Sequence, residues 1–271
     1  MFDFFIDTAD IEYNKRILKS MPEDIFGNYL KGVTTNPNAM NKVSCHSLDS
    51  WVERTKELVS LMDAVGGCKK TVYVQLPNSK SPLELLPKFI DIFSPLSTKN
   101  TSVSFKIPPR EDILREIHKY DCNFNVTGIA DCATALKCAK YGMEYVSIIP
   151  GRMEQVGIDA KSHINFVNQS LSIGDNDTRI IAGSMRTIHG LFDSVLMKTV
   201  PTIGERVWNK IFELPYEDRL NIFLFSAPRL LMSDALDAPI TTQTNIDLSL
   251  SFFDQMDEFG CEANKDLISR S

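Results

Sequence analysis

The chain contains 271 residues, 43% of them hydrophobic, and carries a formal net charge of −6 at pH 7. This length suits one large α/β domain or two small ones. A negative net charge without a basic stripe argues against nucleic acid as a partner, because nothing would replace the phosphate counterions. No apolar run approaches the roughly 18 residues that a membrane span requires, so we expect a soluble protein that does not bind membranes.

The N-terminus and the cysteines indicate the compartment. Residues 1–7 lack the basic start and the small-residue cleavage site of a secretory signal, and their pattern is typical of a strand. The six cysteines form no C-x-x-C pair and have no histidine at ligand spacing, which argues against a structural zinc site. Free thiols are typical of a reducing cytoplasm, and we expect the protein to be cytoplasmic.

Short apolar strands alternate with amphipathic helical stretches along the chain. The predicted strands cover residues 2–7, 31–35, 71–76, 102–107, 122–127, 144–149, 179–184 and about 199–203. The predicted helices cover residues 10–20, 47–65, 82–94, 110–119, 131–141, 157–172, 187–197 and 205–213. Strict alternation predicts a parallel sheet, and eight repeats predict closure into a (β/α)8 TIM barrel.

An open doubly wound sheet is the alternative architecture. A dinucleotide-binding fold of that kind would carry G-x-G-x-x-G after its first strand, and this chain has Thr8-Ala9-Asp10 there. The barrel is therefore the favoured fold.

The C-terminal region exceeds what eight β/α units need. Pro215, Pro228 and Pro239 divide it into short helical pieces, and the amphipathic residues 246–259 suit a terminal helix. We predict a barrel domain over residues 1–213 and a helical extension over residues 214–271, packed on the barrel or on a neighbouring subunit. The apolar face of that helix is compatible with a homo-oligomer.

Lys106 is the most informative residue of the sequence. It stands in the apolar run Val103-Ser104-Phe105-Lys106-Ile107-Pro108, where a solvated strand would repeat polar residues on its outer face. A buried ammonium costs several kcal/mol unless it is paired or loses its proton. A neutral lysine amine is a nucleophile for carbonyl carbon, so the pattern favours a Schiff base on Lys106.

Alternation along the strands places polar residues together on one face. Side chains two residues apart point to the same side of a strand, and catalytic groups of a barrel come from the C-terminal strand ends. The same-face polar residues are Tyr73 and Gln75, Ser104 and Lys106, Asn125 and Thr127, and Tyr145 and Ser147. Ser184 is expected to end the seventh strand, with Arg186 two residues beyond. The residues predicted to meet at one barrel mouth are Asp7, Asn36, Lys106, Thr127, Ser147, Arg152 and Arg186.

Ordered motifs at these strand ends resemble the transaldolase family, in particular its short members and the related fructose-6-phosphate aldolases. The motifs are Phe5-Ile6-Asp7-Thr8-Ala9-Asp10, Gly32-Val33-Thr34-Thr35-Asn36-Pro37, Phe105-Lys106-Ile107-Pro108, Asn125-Val126-Thr127, Tyr145-Val146-Ser147 with Gly151-Arg152, and Ile181-Ala182-Gly183-Ser184-Met185-Arg186-Thr187. The resemblance spans residues 2–213.

The resemblance implies a role for each site residue. Lys106 would form the Schiff base, and Asp7 would be the acid/base that takes the hydroxyl proton as the carbon–carbon bond breaks. Gln75 and Thr127 would position a proton-relay water. The remaining residues would bind substrate: Asn36, Asn125 and Ser147 the dihydroxyacetone portion, and Arg152, Ser184 and Arg186 the phosphate. The implied partners are small sugar phosphates, in the pentose phosphate pathway, and no metal or organic cofactor is implied.

Two departures from the family pattern leave the activity open. Ile149 stands where a transaldolase has phenylalanine and a fructose-6-phosphate aldolase has tyrosine, and residues 214–245 exceed the compact members. Arg186 favours transaldolase, because the aldolases tend to have lysine there. Transaldolase is the leading hypothesis. The alternatives are an aldolase that releases free dihydroxyacetone and a noncatalytic barrel that binds sugar phosphates.

Overall fold

The computed structural model describes residues 1–77, 82–173 and 177–224. Eight parallel strands close into a barrel in which β1 pairs with both β2 and β8. The strands are β1 Phe4–Asp7, β2 Leu30–Thr34, β3 Lys70–Gln75, β4 Thr101–Ile107, β5 Phe124–Ile129, β6 Tyr145–Ile148, β7 Arg179–Ala182 and β8 Val200–Gly204. The (β/α)8 prediction is confirmed, and the pairing of β1 with β8 excludes the open sheet.

Helices connect the strands in the order that the periodicity predicts. They are α1 Ile11–Leu18, α2 Glu23–Tyr29, α3 Pro37–Lys42, α4 Leu48–Val65, α5 Pro82–Phe93, α6 Glu111–Glu116, α7 Cys132–Lys140, α8 Pro150–Gln155, α9 Ala160–Ile173, α10 Ile188–Leu196, α11 Glu205–Glu213 and α12 Tyr216–Leu224. Helices α2, α3 and α8 were not predicted. Each has six or seven residues, too few to show a helical period.

Two separate apolar groups hold the barrel together. The larger one fills the space between the strands and the surrounding helices. The smaller one lies inside the barrel and consists of Phe5, Tyr73, Tyr145, Ile181 and Val200. The Phe5 ring packs edge-on against Tyr73 at 5.6 Å and Tyr145 at 5.7 Å between centroids. These five side chains fill the part of the barrel interior nearer the N-terminal ends of the strands, so the C-terminal end is left for a ligand.

The start of the C-terminal extension packs on the barrel. Phe223 of α12 stacks on Trp208 of α11 at 5.6 Å and contacts Phe4 of β1 at 5.0 Å between ring centroids. The predicted terminal helix over 246–259 lies outside the described residues. The division into 1–213 and 214–271 therefore stays a prediction.

Within the described ranges, none of the helices combines the length and apolar character needed to cross a membrane. The same part of the chain contains no group of three or more His, Cys, Asp or Glu side chains arranged to hold a metal ion.

Candidate active site

A cavity of about 620 Å³ opens at the C-terminal ends of the strands. Its lining brings together most of the predicted site residues, from strands and loops far apart in sequence. These lining residues are Asp7, Asn36, Gln75, Lys106, Thr127, Ser147, Arg152, Ser184 and Arg186. Asn125 is fully buried and does not line the cavity, and its Oδ1 accepts a hydrogen bond from the Ser147 hydroxyl at 2.9 Å. The structure thus gathers these residues, while their individual roles stay predictions.

Lys106 lies on the inner face of β4, between Gln75 of β3 and Asn125 of β5 in the strand register. The residue is 8% exposed, and its Nζ donates to the Thr35 carbonyl at 3.3 Å. Burial lowers the pKa of Lys106, and the nearby charge of Asp7 opposes that change. Desolvation therefore favours the neutral, nucleophilic amine.

Asp7 ends β1 and faces the same cavity. Thr34 donates to its Oδ1 at 2.9 Å, and the Thr34 hydroxyl lies 2.7 Å from that of Thr202. Desolvation raises the pKa of Asp7, an effect opposed by Lys106, the Thr34 hydrogen bond and Lys42. Asp7 and Lys106 are therefore both driven toward their neutral forms, which suits two groups that exchange protons during a reaction.

Asn36 serves the fold as well as the cavity. Its Oδ1 accepts a hydrogen bond from the Ala39 backbone N–H at 2.8 Å and so caps helix α3. The cap fixes the side chain at the end of β2. Its amide nitrogen is then the atom suited to a ligand contact.

The two arginines approach each other on the side of the cavity formed by α8 and the loop after β7. Burial and the neighbouring charge of Arg186 lower the pKa of Arg152. The Gln155 amide faces the Arg186 guanidinium, and in the orientation that satisfies both groups its oxygen accepts from Arg186. Two neighbouring guanidinium groups that repel each other favour an anion between them.

Ser184 does not end β7, which stops at Ala182. It lies in the following loop with φ of 59°, a left-handed conformation that costs a non-glycine residue about 1 kcal/mol or more. Gly151 of α8 lies against this loop, and a Cβ there would approach the Ser184 carbonyl oxygen to 3.1 Å. The strained loop and the glycine together bring Ser184 and Arg186 close to Arg152.

Other polar residues of the lining were not found from the sequence. They are Thr8, Asn38, Lys42, Thr202, Glu205, Arg206 and Asn209. Lys42 and Asn38 belong to α3, the short helix that periodicity does not show. Glu205 and Arg206 directly follow β8. Because barrel sites use residues at the C-terminal strand ends, these two could have been predicted from the sequence.

The fold and the cavity together define a class of protein. A (β/α)8 barrel with a buried lysine, a carboxyl group and paired arginines at the C-terminal strand ends has the arrangement of a barrel enzyme.

Residues 4–248 match the family described as Transaldolase/Fructose-6-phosphate aldolase, and the chain belongs to this family of aldolase and transferase enzymes. A probable transaldolase of Desulfosudis oleivorans is 30% identical over 223 residues, covering 80% of this chain and 92% of that protein. A probable transaldolase of Methanococcus maripaludis is 29% identical over 219 residues, covering 79% and 92%.

A third relative, a probable transaldolase of Chelativorans sp., is 25% identical over 226 residues, covering 82% of this chain and 94% of that protein. A solved IMP dehydrogenase/GMP reductase-like protein of Corynebacterium glutamicum covers 76% of this chain and 66% of its own, with 13% identity and a TM-score of 0.49. That last similarity carries no information on function.

Proposed function

We propose that this protein is a transaldolase. It transfers a dihydroxyacetone unit from a ketose phosphate, fructose 6-phosphate or sedoheptulose 7-phosphate, to an aldose phosphate, erythrose 4-phosphate or glyceraldehyde 3-phosphate. The reaction belongs to the pentose phosphate pathway and proceeds through a Schiff base on Lys106. The observation that carries the proposal is the buried Lys106 amine in a polar cavity that it shares with Asp7.

Burial makes the first step possible at neutral pH. An ordinary lysine, with a pKa near 10.4, has roughly one amine in 2,500 uncharged at pH 7. Because burial lowers the pKa of Lys106, a larger fraction is ready to attack the C2 ketone. Loss of water from the resulting adduct leaves a protonated imine that joins C2 to Nζ.

The imine then acts as the electron sink for cleavage. The C3–C4 bond breaks, its electron pair moves toward the iminium to form an enamine, and Asp7 accepts the C4 hydroxyl proton. The aldose phosphate leaves. An acceptor aldehyde then enters, the enamine attacks its carbonyl carbon, and Asp7 returns a proton to the new hydroxyl. Water then hydrolyses the imine and releases a ketose phosphate three carbons longer than the acceptor.

The other residues bind and orient the substrate. Gln75 and Thr127 position the water that relays protons, and Asn36 and Ser147 hold the hydroxyls of the three-carbon unit. Asn125, which does not line the cavity, acts on the substrate through Ser147, whose hydroxyl it orients. Arg152, Ser184 and Arg186 bind the phosphate, because guanidinium groups offer a permanent charge and a planar pair of donors. The strained Ser184 supports this assignment, since such strain concentrates at ligand-binding sites.

Transfer and simple cleavage differ in the fate of the enamine. If water protonates it, the protein is a fructose-6-phosphate aldolase that releases dihydroxyacetone. Ile149 lines the cavity and offers no hydroxyl to assist that protonation, which is compatible with transfer. A coupled assay separates the two: transfer requires erythrose 4-phosphate for turnover of fructose 6-phosphate, whereas cleavage proceeds equally without it.

Borohydride reduction in the presence of fructose 6-phosphate, followed by peptide mass analysis, tests the mechanism directly. We expect a reduced dihydroxyacetone adduct on Lys106. Lys70 provides an internal control in the same digest, because it is also buried but lies outside the cavity. An unmodified Lys106, or an adduct on another lysine, would refute the mechanism, and substrate binding without an adduct would indicate a noncatalytic barrel.

A further inference from the structure

Glu205 is a second carboxyl group in the cavity that the proposed function does not use. It is the first residue of α11 and directly follows β8, whose last residue, Gly204, pairs with Asp7 across the sheet. The side chains of Asp7 and Glu205 both line the cavity. The two carboxyl groups therefore lie on adjacent strand ends.

Specific contacts hold Glu205 in place. The Thr8 hydroxyl donates to its Oε1 at 2.6 Å, and Thr8 is the residue after Asp7. The one Tyr13 hydroxyl proton is shared between the Glu205 backbone carbonyl at 3.0 Å and Asn209 Oδ1 at 2.8 Å, which attaches the start of α11 to α1. Thr8 is 2% exposed, so the contact at Oε1 is partly shielded from water. These bonds fix the carboxylate beside the end of β1.

We infer that Glu205 is a positioning residue of the proposed reaction: held by Thr8, it keeps a second carboxylate beside Asp7 and thereby makes Asp7 a stronger base. This inference rests on the proposed function, in which Asp7 takes the C4 hydroxyl proton. A fixed negative charge nearby disfavours the ionised form of Asp7, and a base of higher proton affinity removes a hydroxyl proton more readily.

The charges around Asp7 act in two directions. Desolvation has the largest effect and raises the pKa of Asp7, Lys106 of β4, the Thr34 hydrogen bond and Lys42 of α3 lower it, and Glu205 adds a smaller increase. Arg206 lines the same cavity beside Glu205. Without Glu205, the cations around Asp7 would have no opposing carboxylate from α11, and the pKa of Asp7 would be lower, which makes its carboxylate a weaker base.

Glu205→Gln tests the inference, with Glu213→Gln as the matched control. Glu213 lies at the other end of α11 and is exposed, so the control makes the same charge change away from the cavity. Removing the like charge stabilises ionised Asp7. We therefore expect the acid limb of the kcat/KM profile to move to lower pH by about half a unit in Glu205→Gln, and to stay in place in Glu213→Gln. Thr8→Val, which removes the anchor, should move it the same way by less.

A second measurement does not depend on activity. Lys106 and Asp7 interact, so the pH profile reports apparent pKa values of the pair, whereas the ¹³C signal of the Asp7 carboxyl follows the protonation of that one group. With the signal assigned by its loss in Asp7→Asn, we expect its titration midpoint to fall in Glu205→Gln and to remain unchanged in Glu213→Gln. Superimposable titrations of wild type and Glu205→Gln would overturn the inference. A missing borohydride adduct would instead defeat the proposed function and leave this titration interpretable.

Discussion

Lys70 and Lys106 are both buried, on neighbouring strands, and burial lowers the pKa of each. Lys70 begins β3 and donates to the carbonyls of Phe26 and Gly27 at 2.9 Å each, and to Cys68 Sγ at 3.3 Å. Lys106 lies near the end of β4, where its one hydrogen bond to a described residue is the 3.3 Å contact with Thr35. The two lysines therefore differ in the number and length of the hydrogen bonds that their Nζ atoms donate.

This contrast separates a structural lysine from a reactive one. A lysine whose donors are all directed at carbonyls and sulfur contributes to stability and cannot turn toward a ligand. A lysine with one long hydrogen bond, an acid nearby and an open cavity is a destabilised group that a substrate can engage. Burial alone does not identify a nucleophile.

The largest expected effect is the loss of turnover in Lys106→Met. We expect kcat/KM for fructose 6-phosphate to fall by at least about a thousandfold, because the covalent intermediate cannot form. Lys70→Met should retain near-wild-type kcat in its folded fraction and lose about 2 kcal/mol of unfolding free energy, measured by urea denaturation. Equal losses of activity in the two variants would erase the distinction between the lysines.

Asp7→Asn should have the next largest effect. We expect kcat to fall by roughly a hundredfold or more, since the C4 hydroxyl proton loses its acceptor while the Lys106 amine remains. Single-turnover kinetics would show slow carbon–carbon cleavage after imine formation. If borohydride trapping of the Lys106 adduct disappeared as well, Asp7 would be needed for imine formation, and the assignment to cleavage would be wrong.

Arg152→Ala and Arg186→Ala should act mainly on substrate affinity. We expect KM for fructose 6-phosphate to rise about tenfold or more in each variant, equivalent to about 1.4 kcal/mol, because a charged contact to phosphate is removed. Turnover of unphosphorylated fructose is the control and should change little. An unchanged KM in both variants would remove the phosphate assignment.

The smallest effect is a pH dependence of stability. Because the pKa of Lys106 is lowered in the folded state, the unfolded chain binds more protons between that folded pKa and the ordinary value of about 10.4. Wild-type stability should therefore rise with pH through this window relative to Lys106→Met. Asp7, whose pKa is raised, acts in the opposite direction at lower pH. Parallel stability curves for wild type and Lys106→Met between pH 7 and 10.5 would show that burial does not act on Lys106 as stated.

Much of the fold and the gathering of the site could be predicted because both follow from strand periodicity. The apolar run around Lys106 predicted its burial, and alternation placed Gln75, Thr127 and Ser147 on the inner face with it. Lys42 was missed because α3 is only six residues long. The contribution of Glu205 depends on its contact with Thr8, which is 197 positions away in sequence.

The sequence by itself determined the barrel, the buried lysine and the set of polar strand ends, because side-chain alternation and β/α order are local properties of the chain. Only the tertiary structure decided which groups surround each charge. Closure of β1 against β8 brings Glu205 to Asp7, and the approach of α2 gives Lys70 its carbonyl partners. Desolvation and Coulomb interactions depend on these distances through space, so the ordering of residues along the chain cannot show them.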